Sequence, residues 1–370
     1  MIPKRAEARV LVAGGGTGGH IFTGLCVVEA MCRMRPIEVM FVGTRRGLEE
    51  QLIGQKEIQL AWIDMDGIQG KGWRGWCGFF WRAPKSLWQS FRLVRSFRPG
   101  LAIGLGGYSS GPVLWVASRM GVATLIIEPN VLPGMTNRWL KNWVDAIAVA
   151  FQETRKYLGN RCEITGIPVR SAFFSGRHTR RPDGTFRMLL FGGSQGSHRL
   201  NQLWTAALPI LAEKWDPSWG RLQIIHQTGE KDYQWVQRCY QGTPFSFEVC
   251  AFIQHMPEEF AQASLILSRA GAGTVGELCA AGRAGILVPF PHSAEQHQAA
   301  NARVLERQGA ALTVAENRLD GDRLAEIVMS LAADPQRREK MEKAAGAMVQ
   351  EDAAGKIAAL AWQLMDRKAA

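Results

Sequence analysis

Short apolar runs alternate with longer amphipathic stretches along most of the chain. Residues 10–13, 38–42, 101–105, 124–127 and 146–150 read as buried strands. Residues 24–33, 84–97, 112–120 and 135–141 lie between them and carry apolar positions at helical spacing. This alternation predicts an α/β architecture whose parallel sheet is covered on both faces. The pattern lapses over 168–187, a segment rich in Arg, Gly and Pro that reads as an interdomain linker. It resumes with strands expected at 188–191, 223–227, 247–251, 265–267 and 285–288, with helices between them. The last stretch, 334–370, reads as helical, and its stripe of Ile357, Leu360, Ala361, Leu364 and Met365 needs an apolar partner. For 370 residues the expectation is two domains, each with its own core.

Glycine clusters punctuate both halves at matching points. GGGTGGH (14–20) and GGSQGS (192–197) each follow an apolar run and lead into a helical pattern. A strand that turns on glycines into a helix exposes backbone N–H groups at the positive end of the helix dipole, which attracts phosphate. A third cluster, GGYSSGP (106–112), ends the 101–105 strand and would share the rim of the first sheet. In the second half RAGAGTVGE (269–277) offers Thr274 as a helix cap and phosphate donor. Glu277, one turn in, can accept from two vicinal ribose hydroxyls. VPFPHSAEQHQAANA (288–302) adds Gln296 and His297 as candidate sugar contacts.

The first loop also contains GxGxxG, as Gly14, Gly16 and Gly19. No acid stands at the tip of the 39–42 strand to take a ribose, which argues against NAD. Arg45 and Arg46 could accept a 2′-phosphate, so an NADP-dependent oxidoreductase stays as an alternative. His20 has two readings, a structural cap at a helix start or a general base beside a phosphate-binding loop.

Charge adds a polyanionic partner. The net charge is +11, and no Asp or Glu occurs from Gly67 to Ile127. That window holds Lys71, Arg74, Arg82, Lys85, Arg92, Arg95, Arg98 and Arg119. Within it Trp73, Trp76, Phe79, Phe80, Trp81 and Trp88 interleave with the basic residues. On a helical wheel Leu87, Phe91, Val94 and Phe97 share one arc, with Lys85, Trp88, Arg92 and Arg95 beside it. Such a stripe suits a lipid headgroup interface, the alternative being a core-packing helix with solvated arginines. Residues 73–81 read as an irregular aromatic loop. No nucleic-acid-binding motif accompanies the charge. No run of 18 or more uncharged apolar residues suggests a transmembrane helix, and residues 1–5 show no signal-peptide pattern. The seven scattered cysteines suit reduced thiols, with neither disulfide nor zinc spacing.

The ordered set GGGTGGH (14–20), GGYSSGP (106–112), EPN (128–130), TGIPVR (165–170), GGSQG (192–196), FIQHM (252–256), AGAGTVGE (270–277) and PFPHSAEQHQ (289–298) resembles glycosyltransferase family 28 over essentially the whole chain. The likeness is to the branch that adds N-acetylglucosamine to lipid I in peptidoglycan synthesis. The resemblance implies a GT-B fold, with two Rossmann-like domains facing a central cleft. Residues 1–168 would bind acceptor and membrane, residues 169–349 would bind UDP-GlcNAc, and a helix over 350–370 would pack back on the first domain. The implied reaction is inverting transfer from UDP-GlcNAc to the 4-hydroxyl of MurNAc in lipid I, giving lipid II and UDP. It would run at the cytoplasmic face of the plasma membrane, with the protein attached peripherally to anionic inner-leaflet lipids. Wall-synthesis and division proteins are implied as further partners, and nucleic acid is not.

By motif match, Ile253 would read uracil through its backbone and Glu277 the ribose. Ser194, Arg170 and the backbone of Ala272, Gly273, Thr274 and Val275 would hold the diphosphate. Gln296, Asn130, Thr17, Gly18 and Gly19 would contact GlcNAc or line the cleft. Gly15, Gly16, Gly106, Gly107, Tyr108 and Ser109 would hold the acceptor's diphosphate, and His20 is the candidate base. No DxD-type metal motif appears near the proposed donor site, so no tightly bound cofactor is expected, and a stimulating divalent cation has no site readable in the sequence. The chain departs from the family pattern at Thr23, Pro129, Ile167, Gly273 and His297. A family 28-like transferase with another lipid acceptor, such as diacylglycerol, is the nearest rival.

Overall fold

Two parallel sheets organise the chain in the computed structural model, which describes residues 8–15, 18–44, 58–65, 72–175 and 184–369, with only the backbone for 72–82. The first sheet comprises β1 (Ala8–Ala13), β2 (Ile37–Gly43), β3 (Gln59–Trp62), β4 (Leu101–Gly104), β5 (Ala123–Glu128), β6 (Ala146–Val149) and β7 (Cys162–Ile164), in the order β3-β2-β1-β4-β5-β6-β7. The second comprises β8 (Thr185–Phe191), β9 (Arg221–Gln227), β10 (Ser246–Cys250), β11 (Leu265–Ser268), β12 (Gly285–Leu287) and β13 (Ala311–Thr313), in the order β10-β9-β8-β11-β12-β13. Both orders carry the 3-2-1-4-5-6 progression of nucleotide-binding folds, whose switch points lie between β1 and β4 and between β8 and β11. One unit holds residues Met1–Val169 and Gln350–Ala370, the other Arg170–Val349.

The apolar runs are continuous because both faces of each sheet are covered. In β1, Val10 and Val12 enter one apolar layer with helices Gly18–Met34 and Ala353–Ala369. Leu11 and Ala13 enter the opposite layer with helices Gly72–Phe97 and Ser110–Arg119. Strand β6 divides the same way, Ala146 and Ala148 against Ile147 and Val149. The period-2 alternation of a strand thus serves two cores at once. On helix Ala353–Ala369, Ile357, Leu360, Ala361 and Leu364 are buried in the first layer, with Met365 packed partly against it.

Several boundaries differ from those expected. Strands β3, β7 and β13 were not anticipated; each is a short edge strand with partly exposed positions, so its apolar signal is weak. Strand β8 begins at Thr185, inside the segment read as linker. Phe186 and Arg187 are buried there, and the Arg187 guanidinium is held by Glu259 and Gln262. The tail forms two helices, Pro335–Ala347 and Ala353–Ala369. Between them Asp352 takes φ +52°, and its carboxylate accepts the Gly355 N–H. Residues 73–81 are helical rather than a loop, and Pro84, read as a helix start, lies inside helix Gly72–Phe97.

A buried polar chain stiffens the second sheet. Trp204 Nε1 donates to Tyr240 Oη at 2.7 Å, which leaves the Tyr240 hydroxyl proton for His226 Nδ1 at 3.1 Å. His226 Nε2–H then donates to Asn201 Oδ1 at 3.0 Å. Burial drives the His226 pKa from 6.5 down to about 3, with Asp232 opposing. A depressed histidine contributes stability that is complete above 6.5 and is lost as pH falls toward 3. The unfolding midpoint is therefore expected to drop between about pH 7 and about pH 5. His226→Gln, which keeps a donor and an acceptor, should lessen that drop; an equal drop in both proteins removes His226 as its source.

Candidate functional site

The carboxyl ends of parallel strands all face one edge of their sheet, so each sheet gathers its loops on a single rim. On the first rim, the loops after β1 and β4 touch at the switch point. A Cβ at Gly14 would stand 2.7 Å from Leu105 Cβ and 2.9 Å from the Gly106 carbonyl, and one at Gly107 would stand 3.3 Å from the Gly15 carbonyl. Gly106 and Gly107 take φ +91° and +78°, a region that side chains disfavour. The candidates Gly15, Gly106 and Gly107 are thus brought together, Tyr108 and Ser109 follow in the same loop, and Gly16 and Thr17 lie outside the described residues.

His20 is the third residue of helix Gly18–Met34 and reaches back to this rim. Its Nδ1 lies 3.2 Å from the Gly15 carbonyl oxygen, which can only accept. The neutral ring therefore carries its proton on Nδ1 and leaves Nε2 bare as a proton acceptor. Cε1 and Nε2 both lie 3.8 Å from where a Gly106 Cβ would stand, and Asn137 Nδ2 lies 3.6 Å from it. Thr23, at a departure from the family pattern, donates to the Gly19 carbonyl at 2.9 Å inside this helix.

Glu128, the last residue of the fully buried β5, organises the neighbouring loop. Its carboxylate accepts from the Asn130 N–H and Nδ2, the Gly134 N–H and Asn137 Nδ2, all at 2.9–3.0 Å. Asn137 is 1 % exposed, and its Oδ1 is buried with no hydrogen-bond partner among the described residues. The EPN motif singled out Asn130 but gave Glu128 no role. A lone acid ending an otherwise uncharged strand is the signal that could have found it.

On the second rim the donor candidates follow successive strands. Ser194 is exposed in the loop after β8, Ile253 follows β10, Ala272–Glu277 follow β11 and Gln296 follows β12. The β8 and β9 loops interlock through glycines. A Cβ at Gly196 would stand 1.9 Å from the Thr228 carbonyl, and one at Gly229 would stand 2.2 Å from the Gln195 carbonyl. Helix Ala272–Ala281 is entered through Gly271, so Thr274 is its third residue and does not cap it. The N–H groups of Ala272, Gly273 and Thr274 belong to the first turn, which has no carbonyl partners within the helix. Glu277 sits one turn further, its side chain 19 % exposed and Arg170 Nη2 3.9 Å away. Burial pushes the Glu277 pKa up to about 7, with Arg170 pulling against it. The Ile253 N–H is already taken by Gln227 Oε1 at 2.8 Å, so of its backbone polar groups only the carbonyl could serve a ligand. Gln296 holds φ +56° and Glu295 φ +51°, two successive residues in the left-handed region, where strain concentrates at functional loops.

Arg269 is a further residue whose role the sequence reading missed. Its guanidinium donates to Ser197 Oγ, to the Val288 and Pro289 carbonyls and to Glu316, and it lies 5.3 Å from the Phe290 ring centroid. One buried cation in the loop after β11 therefore fastens the loops after β8, β12 and β13. Like Glu128, it is a single charge at the end of a buried strand.

The proposed membrane helix divides differently from its wheel. Val94 and Phe97 are buried and Leu87 packs partly against the core, so three of the four positions of the apolar arc face inward. Ser86 and Ser90 share that face, each hydroxyl donating to a carbonyl of its own helix. Trp88 and Phe91 are exposed at 57 % and 41 %, and Arg92 covers the Trp88 ring. Lys85 pairs with Asp64 at 2.7 Å, and Arg95 is exposed. Trp139 and Trp143 are exposed on and after the helix Met135–Leu140, with Arg119 over Trp143. The side chains of Trp73, Trp76, Phe79, Phe80 and Trp81, and all of Arg45 and Arg46, lie outside the described residues. Among the described residues no helix is long and apolar enough to cross a membrane, and no group of His, Cys, Asp and Glu is placed to hold a metal ion.

Comparison with known proteins covers both units. Residues 10–149 match the glycosyltransferase family 28 N-terminal domain and residues 187–357 match the family's C-terminal domain. The UDP-N-acetylglucosamine–N-acetylmuramyl-(pentapeptide) pyrophosphoryl-undecaprenol N-acetylglucosamine transferase of Syntrophus aciditrophicus is 39 % identical over 92 % of this chain and 94 % of that protein. The protein of that name from Myxococcus xanthus is 38 % identical over 96 % and 93 %. The crystal structure of Acinetobacter baumannii MurG superposes with a TM-score of 0.78 at 27 % identity, covering 96 % of this chain and 99 % of that one. The two parallel-sheet domains have the GT-B fold.

Proposed function

This chain belongs to glycosyltransferase family 28, and we propose that it is an inverting N-acetylglucosaminyltransferase. It moves GlcNAc from UDP-GlcNAc to the 4-hydroxyl of MurNAc in undecaprenyl-pyrophosphoryl-MurNAc-pentapeptide, forming lipid II and UDP. The observation that carries this reading is full-length likeness to transferases named for that donor and acceptor. An NADP oxidoreductase would leave the whole second rim without a role.

His20 Nε2 takes the proton of the acceptor hydroxyl as its oxygen attacks C1 of GlcNAc. The bond from C1 to the phosphate oxygen breaks on the opposite face, and its electron pair leaves with UDP. The charge on the departing UDP is met by the N–H groups of Ala272, Gly273 and Thr274, by Ser194 and by Arg170. Glu277 accepts from the ribose hydroxyls, the Ile253 carbonyl from uracil N3–H, and Gln296 binds the sugar. The glycine loops of the first rim, with Tyr108 and Ser109, hold the acceptor's diphosphate. The chemistry assigns no tightly bound cofactor.

An undecaprenyl tail confines the acceptor to a bilayer, so the enzyme works at that surface, on its cytoplasmic side. Support comes from the exposed Trp88, Phe91, Trp139 and Trp143 beside Arg92, Arg95 and Arg119. Tryptophan with basic neighbours matches an anionic headgroup layer.

UDP release should depend on a short-chain lipid I analogue. His20→Ala is expected to lower kcat by about 10²- to 10⁴-fold with little change in KM for UDP-GlcNAc; an unchanged kcat would falsify the base assignment. An ionised Glu277 is the better ribose acceptor, so UDP affinity, relative to Glu277→Gln at the same pH, should rise from about pH 6 to about pH 8. A ratio independent of pH contradicts the ribose role. Replacing Trp88, Trp139 and Trp143 together with Ser should weaken binding to anionic vesicles at least about tenfold while sparing turnover of a soluble acceptor. Undiminished vesicle binding would place the attachment surface elsewhere.

A further inference from the structure

Gln227 closes β9 directly opposite Phe191, the last residue of β8. Its side chain is 1 % exposed and both polar ends are used. Oε1 accepts the Ile253 N–H at 2.8 Å, and Nε2 donates to the Gly193 carbonyl at 2.8 Å. One carboxamide thus spans from the loop after β10 to the loop after β8. At its far ends lie the backbone that would read the nucleobase and the turn that would read the diphosphate. Gly193 itself takes φ +100°, and a Cβ there would meet nothing within 4 Å, so side-chain packing does not hold that point of the turn. The Ile253 carbonyl accepts from no group among the described residues, and the bond to the N–H of the same residue ties that backbone to the end of β9.

A ligand held at two points gains fully from both only when those points already stand at the ligand's own spacing. Resting on the reading that UDP-GlcNAc binds this rim, we infer that Gln227 is a positioning residue for the donor. It sets the distance between Ile253 and the 192–197 loop so that the two halves of a uridine diphosphate bind as one unit. Gln227 touches neither half. A glutamine that merely satisfied the Ile253 N–H would support the base alone.

Calorimetric titration of the full chain with uridine and with UDP separates the two roles. Gln227→Met keeps the volume and removes both hydrogen bonds. UDP affinity should fall about tenfold and uridine affinity by about threefold or less, so that the advantage of UDP over uridine shrinks. Gln227→Glu gives an independent reading. A protonated carboxyl accepts and donates as the amide does, whereas a carboxylate only accepts and would oppose the Gly193 carbonyl. Normalised to the parent at each pH, its UDP-over-uridine advantage should recover as pH falls. Equal losses for UDP and uridine, or an unchanged advantage in both variants, would overturn the assignment. A parent chain that binds no UDP would overturn the donor-site reading and this inference with it.

Discussion

Every strand pair described in the two sheets is parallel. That constraint fixes both the layering of each domain and the place of its binding loops. Parallel strands need long return connections, which become the helices covering both faces. All carboxyl ends share one edge, so the segments with special backbone needs collect on one rim per sheet. A parallel sheet also splays its neighbouring connections to opposite sides at the switch point. Both pairs of glycine-bearing loops stand there, after β1 and β4 and after β8 and β11.

The rims are made of backbone, and backbone loops need fastening. Glycine allows the loops to approach within contact distance, as at Gly14 with Leu105 and Gly196 with Thr228. The fastening comes from a few buried polar groups at strand ends. Glu128 gathers four donors on the first rim, and Arg269 and Gln227 bridge three loops and two loops on the second. Each is a polar group taken out of water, tolerable because its partners are complete. Removing one partner would leave the others buried and unpaired, which is why such hubs hold geometry more firmly than surface pairs do.

The central strands and the glycine turns were legible in the sequence because their causes are local. A strand buried on both faces is apolar throughout, and a glycine turn announces its φ requirement. The edge strands β3, β7 and β13 were not legible, since half-exposed positions dilute the pattern. The wheel of residues 84–98 found a real stripe but not which way it faced. Ser86 and Ser90 lie with Leu87 and Val94 toward the core, while Phe91 turns out with Trp88. Hubs such as Glu128 and Arg269 were visible as residues but not as roles, because their partners lie in other loops. The Ile253 N–H is the sharpest case: nothing near it in sequence shows that Gln227 has already taken it.

The most direct test of the account is the structure of the product. The chain would be incubated with UDP-GlcNAc and a short-chain lipid I analogue, and the lipid fraction analysed by mass spectrometry and NMR. The account predicts an acceptor heavier by one N-acetylglucosamine, joined through O4 of MurNAc in the β configuration. A retained α linkage, a sugar at another position, or an acceptor left unmodified while UDP-GlcNAc is consumed would contradict it.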